Sequence, residues 1–253
     1  MEERDDRRGV PSLLLLPGFM QRGDAWEAVA ERVAERYPSI PLDFTSHSFR
    51  GRLAEIEAAA GEGAVLVGYS LGGRLALRAA LRAPTRYAAL VLVGASAGIE
   101  SGAERRARRM ADASLATWIE RHAIEAVVER WERQPVFASQ APQVVAAQRR
   151  GRLSHEPAQL AALLRSAGQG ALPPVWERLG ELAMPVLALA GALDEPYVAA
   201  AERMATALPR GAVRSVEGAG HAPQLERPAE VASVLLEFLD EHFGERDVVD
   251  RYA

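Results

Sequence analysis

The stretch Ala64-Val65-Leu66-Val67-Gly68-Tyr69-Ser70-Leu71-Gly72 runs on into Arg74-Leu75-Ala76-Leu77-Arg78-Ala79-Ala80-Leu81, and its reading decides the fold. The first four residues are an apolar run bounded by glycine, the pattern of a buried strand. The last eight are helix formers. Between them, Gly68-x-Ser70-x-Gly72 compresses the change of direction into a tight turn. Positions flanking the serine must be small there, and Gly72 lets helix and strand approach closely. A junction of this kind holds Ser70 at its tip, above the sheet edge, as an exposed nucleophile. The backbone N–H of Leu71 points at the same spot and can stabilise an oxyanion. Taken without its flanks, G-x-S-x-G arises by chance, and an idle serine on a glycine-rich turn is the plain alternative.

Outward from this junction, strand and helix signals alternate. Residues 12–16 read as a buried strand closed by Pro17-Gly18. Asp24 with Glu27 has the spacing of a capping box, and Trp26, Val29, Ala30, Val33 and Tyr37 recur at helical spacing over 25–37. Ile40 to Phe44 suggest a short strand, and 50–60 a helix ending at Gly61. Ala89 to Val93 is another buried strand. Further strands are expected at 185–189 and 212–216, with helices at 197–208 and 228–243. The alternation specifies the α/β class, with a mostly parallel, doubly wound sheet. Between about 102 and 180 only helical signals occur, among them the stripe Trp118, Ile119, Ile124, Val127, Val128, Trp131 and a second through Leu160, Leu163 and Leu164. This block is expected to be a helical lid over the carboxyl edge of the sheet. The expected organisation is a core of residues 10–100 and 181–244, a lid of 101–180 inserted in it, and a loose charged tail of 245–253.

The 253 residues are 49% hydrophobic and 25% charged, which suits one globular unit with an inserted subdomain. A net charge of −4 argues against a generic nucleic-acid binder. No apolar run approaches the ~20 residues of a membrane span. The amino-terminal residues mix charge signs and lack the apolar stretch of a secretion signal, so the expected compartment is the cytoplasm. Cysteine is absent, which excludes disulfides, thiolate metal sites and cysteine nucleophiles. Lysine is absent too, which excludes lysine Schiff-base chemistry; all 30 basic residues are arginines, whose planar fork suits carboxylates. The histidines and carboxylates show no H-E-x-x-H or similar spacing, so neither metal nor cofactor is expected. The expected state is a monomer or weak homo-oligomer.

A serine hydroxyl needs an imidazole partner, and the imidazole needs a carboxylate to fix its tautomer. On an elbow of this kind the chain order is Ser, then Asp or Glu, then His. Asp194 follows the 185–189 strand, in Gly191-Ala192-Leu193-Asp194-Glu195-Pro196; His221 follows the next, in Gly218-Ala219-Gly220-His221. Both are loops at carboxyl ends of strands, where α/β sites lie. Glu195 is the alternative acid. Of the other histidines, His122 and His242 fall in helices, His155 at an inter-helix turn, and His47 past a strand end where it can line a pocket. The second oxyanion donor is expected to be the N–H of Phe19, in Leu16-Pro17-Gly18-Phe19. Arg74 lies one helical turn after Ser70 on the same face. The lid runs Glu104-Arg105-Arg106-Ala107-Arg108-Arg109 and Arg149-Arg150-Gly151-Arg152 ordinarily read as solvated faces. Arginines converging over a serine would instead indicate an anionic substrate.

These residues resemble a known family. Gly68-Tyr69-Ser70-Leu71-Gly72-Gly73-Arg74 and Trp131-Glu132-Arg133-Gln134-Pro135-Val136-Phe137-Ala138-Ser139 are similar to the elbow and the lid signature W-x-x-Q-P-V-F-A-S of certain lyases of menaquinone biosynthesis. These are the α/β-hydrolase-fold 2-succinyl-6-hydroxy-2,4-cyclohexadiene-1-carboxylate synthases. Gly168-Gln169-Gly170 with Pro174 and Trp176, Gly218-x-Gly-His221, and Leu225-Glu226-Arg227-Pro228 extend the likeness over roughly residues 12–240. The resemblance implies an α/β-hydrolase fold, a Ser70–His221–Asp194 triad, and an oxyanion hole of Phe19 and Leu71. It further implies a substrate pocket with Tyr69, Arg74, Arg108, Trp131, Phe137 and Arg152. It implies that pyruvate is eliminated from a small substrate bearing three carboxylates, without cofactor. A serine hydrolase, an esterase or C–C bond hydrolase working through an acyl-enzyme, is the alternative. Two departures stand out. Pro17 replaces the family's histidine before Gly-Phe, and the Asp-x-x-Gly-His-Gly loop after the next strand is absent, where the chain reads Leu42-Asp43-Phe44-Thr45-Ser46-His47.

Overall fold

A computed structural model describes residues 10–244. The expectations for the amino-terminal residues and the 245–253 tail lie outside the described residues. Six strands form one sheet: β1 (Leu13–Leu16), β2 (Ser39–Pro41), β3 (Val65–Tyr69), β4 (Ala89–Val93), β5 (Val186–Gly191) and β6 (Gly211–Val216). Their order across the sheet is β2-β1-β3-β4-β5-β6, and every pairing is parallel.

Alternation along the strands divides the core in two. Leu14, Leu16, Leu66, Leu90, Leu92, Val186 and Ala188 face one way, against α2 (Phe49–Ala59), α3 (Leu71–Arg82) and α8 (Glu195–Ala207). Leu13, Leu15, Val65, Val67, Val91 and Leu187 face the other, against α1 (Glu27–Val33) and α10 (Pro228–Phe243). A strand buried on both faces carries no polar alternation, which is why the central strands read as unbroken apolar runs.

Four helices intervene between β4 and β5: α4 (Gly102–Glu120), α5 (Ile124–Glu132), α6 (Pro142–Leu153) and α7 (Pro157–Ala167). They enclose a small core of their own from Ala116, Ile119, Val127, Val128, Leu160 and Ala161. Val175, Leu179 and Leu182 pack instead with the sheet cluster, so the chain rejoins the core before residue 180. Among the described residues no helix is long and apolar enough to cross a membrane.

Three local expectations are corrected. Asp24 caps nothing: residues Gly23–Trp26 form a 3₁₀ turn and α1 begins only at Glu27. The helix expected to Tyr37 stops at Val33, yet Trp26, Val29, Val33 and Tyr37 are all buried together, so the periodicity marked a packed face that continues past the helix. Tyr37 is held from outside the helix, its hydroxyl donating to Asp240 at 2.9 Å. The strand expected over 40–44 is only Ser39–Pro41, because beyond it the Asp43 carboxylate turns back to accept the Gly23 N–H at 2.6 Å. A one-turn helix, α9 (Pro223–Glu226), was not expected.

Candidate active site

β3 ends at Tyr69 and α3 starts at Leu71, leaving Ser70 alone to make the turn. It does so with φ 50° and ψ −108°, a left-handed conformation that costs a non-glycine residue roughly 1–3 kcal/mol. The neighbours make no room for a wider turn. A Cβ on Gly68 would lie 2.5 Å from the Gly72 carbonyl oxygen, and one on Gly72 2.2 Å from that of Leu16.

The Ser70 turn follows β3, Asp194 follows β5 and His221 follows β6, all at the same carboxyl edge of a parallel sheet. His221 Nδ1 lies 2.6 Å from Asp194 Oδ2, and its Nε2 lies 3.3 Å from Ser70 Oγ. The carboxylate accepts only, so Nδ1 carries the proton and Nε2 is left to accept from the serine hydroxyl. Glu195 is not in this chain of contacts; it is the first residue of α8 and exposed. The His221 ring is buried and boxed by aromatic rings, with centroids 4.6 Å from Tyr197, 5.4 Å from Tyr69 and 6.3 Å from Phe137. Burial, with Tyr197, Glu226 and Asp194 nearby, pushes the Tyr69 phenol well above its ordinary value, so it stays protonated.

Ser70 opens on a cavity of about 700 Å³ that Phe19 and Leu71 also line. The loop carrying Phe19 is braced by Gln21, whose Oε1 accepts the Gly18 N–H at 3.0 Å. Phe19, Trp131 and Phe137 form a run of tilted rings with centroids 5.1 and 5.6 Å apart, joining this loop to the lid.

Arg74, Arg108 and Arg152 line the same cavity. Arg74 is half-buried on α3 and donates to the Ala167 carbonyl at 3.0 Å. Burial, helped by the neighbouring charge of Arg108, lowers its pKa from the ordinary arginine value. Arg108 is the loosest of the three, with its side chain 46% exposed, its Nε 2.8 Å from Asp112 and its Nη1 2.7 Å from Gln169 Oε1. Arg152 is 2% exposed and held 3.1 Å from Glu132, which also pairs with Arg149. The Arg152 Nε–H is buried without an acceptor among the described residues. Two carboxylates therefore hold lid arginines in place, while Arg74 is held by a carbonyl. Among the described residues no cluster of His, Asp and Glu can hold a metal ion.

Gln21 and Tyr197 also line the cavity, and sequence reading passed over both. Their signals were positional: Gln21 is two residues past Phe19, and Tyr197 three past Asp194, one turn into α8. His47, expected as a lining residue, is not among those around the cavity. The shorter loop after β2 turns back on α2, where Glu55 accepts from the Thr45 and Ser46 N–H groups, and so does not reach the pocket. His122 stacks on Trp118 at 4.0 Å, and His242 meets Phe238 edge-on at 4.9 Å.

His155 is half-buried, its Nε2 is buried with no partner among the described residues, and this burial beside Arg22 and Arg52 lowers its pKa to about 4. Below pH 6.5 the unfolded imidazole takes up a proton that the folded one refuses until about pH 4, so stability falls as pH drops through that window. By pH 4.5 the loss should reach about 2–3 kcal/mol. Urea denaturation at pH 7 and pH 4.5 checks this: His155→Gln should lose less stability on acidification than the natural chain, and an equal loss in both would refute it.

The chain matches the alpha/beta hydrolase family over residues 13–234. The 2-succinyl-6-hydroxy-2,4-cyclohexadiene-1-carboxylate synthase of Salmonella paratyphi C (strain RKS4594) is 31% identical over 243 residues, 91% of this chain and 94% of that protein. A Bacillus subtilis (strain 168) protein that carries the same name provisionally is 38% identical over 177 residues, 69% of this chain. That match spans 65% of the relative, just short of two thirds of its length. Among solved structures, MenH from S. aureus superposes with a TM-score of 0.85 at 29% identity, over 92% of this chain and 94% of that one. An esterase from Thermogutta terrifontis shares the fold, with a TM-score of 0.76 at 24% identity over 93% and 91% of the two chains. The chain thus belongs to the alpha/beta hydrolase family and, within it, to the 2-succinyl-6-hydroxy-2,4-cyclohexadiene-1-carboxylate synthases.

Proposed function

We propose that this protein eliminates pyruvate from 2-succinyl-5-enolpyruvyl-6-hydroxy-3-cyclohexene-1-carboxylate, leaving 2-succinyl-6-hydroxy-2,4-cyclohexadiene-1-carboxylate. The observation that carries the reading is one cavity lined both by Ser70 and by Arg74, Arg108 and Arg152. Three guanidinium groups over one serine base answer a substrate with three carboxylates, through charge-assisted hydrogen bonds.

The ring double bonds define the chemistry. The substrate has C3=C4 and the product C2=C3 and C4=C5, so a proton leaves C2 and the enolpyruvyl oxygen leaves C5. The C2 proton is acidic because it is flanked by the succinyl carbonyl and the alkene. His221 takes the Ser70 hydroxyl proton while Asp194 holds the imidazole and stabilises its charged form. Ser70 Oγ then removes the C2 proton. The negative charge that moves onto the succinyl carbonyl oxygen is met by the N–H groups of Phe19 and Leu71. Collapse of this enolate through C3 and C4 expels pyruvate as its enolate, which takes the proton back from the His221–Ser70 pair and becomes pyruvate. No bond to Ser70 forms and no water is consumed. The reading takes this small tricarboxylate as the partner, with no cofactor, metal, nucleic acid or membrane, and places the protein in the cytoplasm as a monomer or weak homo-oligomer.

The test is pyruvate release from the enolpyruvyl substrate, followed with a coupled dehydrogenase beside a panel of simple esters. The expected result is stoichiometric pyruvate without a pre-steady-state burst. Rapid ester turnover with no pyruvate would overturn the proposal in favour of an acyl-enzyme hydrolase.

A further inference from the structure

The lid signature ends in Ser139, and the segment after His221 contains Glu226; neither residue enters the chemistry above. The fold brings them together. Ser139 Oγ donates to Glu226 Oε2 at 2.9 Å, across 87 residues of chain. The same oxygen accepts the Gly220 N–H at 2.8 Å, and Oε1 accepts the Ala222 N–H at 3.1 Å. One carboxylate thus grips the peptide N–H on each side of His221 and a hydroxyl of the lid. The grip follows from local sequence. α9 starts directly after Ala222, and its Glu226 folds back onto that residue's otherwise orphaned N–H.

The loop has little room on either side. A Cβ on Gly220 would stand 2.0 Å from Ser139 Oγ. A Cβ on Gly191, three residues before Asp194, would stand 2.0 Å from the Gly220 carbonyl oxygen. The backbone that carries the imidazole is therefore sandwiched between the strand end that supplies its carboxylate and the tip of the lid.

We propose that Glu226 is a positioning residue for His221 and that Ser139 makes this positioning depend on a seated lid. The Nε2 to Oγ distance of 3.3 Å leaves little slack in the proton relay. A displacement of about 1 Å in such a relay can cost on the order of a hundredfold in rate. A lid that lifts takes Ser139 away and leaves Glu226 bound only to the loop, so the base is held most firmly when the substrate is enclosed. The inference concerns the triad and holds for any reaction it performs.

The experiment compares Glu226→Gln, Ser139→Ala, Ser139→Thr and the Glu226→Gln/Ser139→Ala pair in the full chain. In Glu226→Gln one of the two backbone donors faces an amide N–H, so kcat should fall about tenfold or more, with KM within about threefold. Ser139→Ala should lower kcat by roughly threefold to tenfold, and Ser139→Thr, which keeps the hydroxyl, should restore it. Because Ser139 acts through Glu226, the pair should be no slower than Glu226→Gln. Hydrogen exchange at the Gly220 and Ala222 amides, read without substrate, should speed up in Ser139→Ala although their acceptor is intact. Multiplicative losses in the pair, a loss confined to KM, or unchanged exchange in Ser139→Ala would each overturn the inference. The exchange arm needs no turnover, so absent pyruvate release would refute the proposed reaction while leaving this inference decided.

Discussion

Ser70→Ala and His221→Ala are each expected to lower turnover by roughly 10³- to 10⁶-fold while leaving the fold intact, and the double variant should be scarcely worse than either. The reason is geometric. The relay runs from Asp194 Oδ2 through 2.6 Å to Nδ1 and from Nε2 through 3.3 Å to Oγ, so removing any link removes the base. Asp194→Asn frees the wrong tautomer to form and should cost roughly 10⁴-fold. Glu195→Gln should be close to neutral, since that side chain is exposed on α8. Steady-state rates with circular dichroism as the folding control decide the matter. An active Asp194→Asn beside an inactive Glu195→Gln would move the acid to Glu195.

The second large effect is expected at the arginines. A charge-assisted hydrogen bond in a closed site contributes about 1.5–3 kcal/mol, so losing one should lower kcat/KM roughly ten- to a hundredfold. Arg74→Ala should be the most damaging, because Arg74 is half-buried one turn from Ser70 and, among the described residues, no carboxylate pairs with it directly. Arg108→Ala should be the mildest of the three, since Arg108 is already engaged by Asp112 and Gln169 and is 46% exposed. Arg152→Ala also leaves the half-buried Glu132 with Arg149 as its one remaining arginine partner among the described residues, so it should cost stability, about 1–3 kcal/mol, as well as affinity. Thermal denaturation separates the two losses. Arg105 is a poor control, because its guanidinium braces the Ile99 carbonyl at 3.1 Å. The exposed Arg109 is the better one, and Arg109→Ala should change kcat/KM by less than about twofold. A fully active Arg74→Ala would remove the main support for a multiply charged substrate.

How far the sequence foretells this molecule depends on the kind of interaction. The central strands were legible because burial on both faces forces an unbroken apolar run, and β4 matches its expected span, Ala89 to Val93. The Ser70 turn was legible because steric crowding allows only glycine at positions 68 and 72. Segments held by distant partners were not. The end of α1 depends on Tyr37 reaching Asp240, 203 residues away, and no local pattern reports that. Asp24 had capping-box spacing, but a 3₁₀ turn placed it inside the element it was expected to begin. The arginine runs of the lid were ambiguous for the same reason. Whether Arg152 faces solvent or a cavity is settled by Glu132, on a different helix. The likeness to a family, not composition, singled out Arg108 and Arg152.

The lid leaves the sheet after β4 and returns at β5, and these two strands are neighbours. An insertion hung from adjacent strands can lengthen, shorten or be exchanged without shifting the register of any pair. Arg108, Trp131, Phe137 and Arg152 all travel with it, whereas Ser70, Asp194 and His221 stay with the sheet. Ancestry can therefore rewrite what is held above the serine while inheriting the serine's apparatus unchanged. Arg74 is the exception, fixed to the helix that the serine itself starts. Descendants of this chain that trade their lids would carry forward one positive charge beside the serine, and with it a bias toward anionic ligands, until that single position mutates.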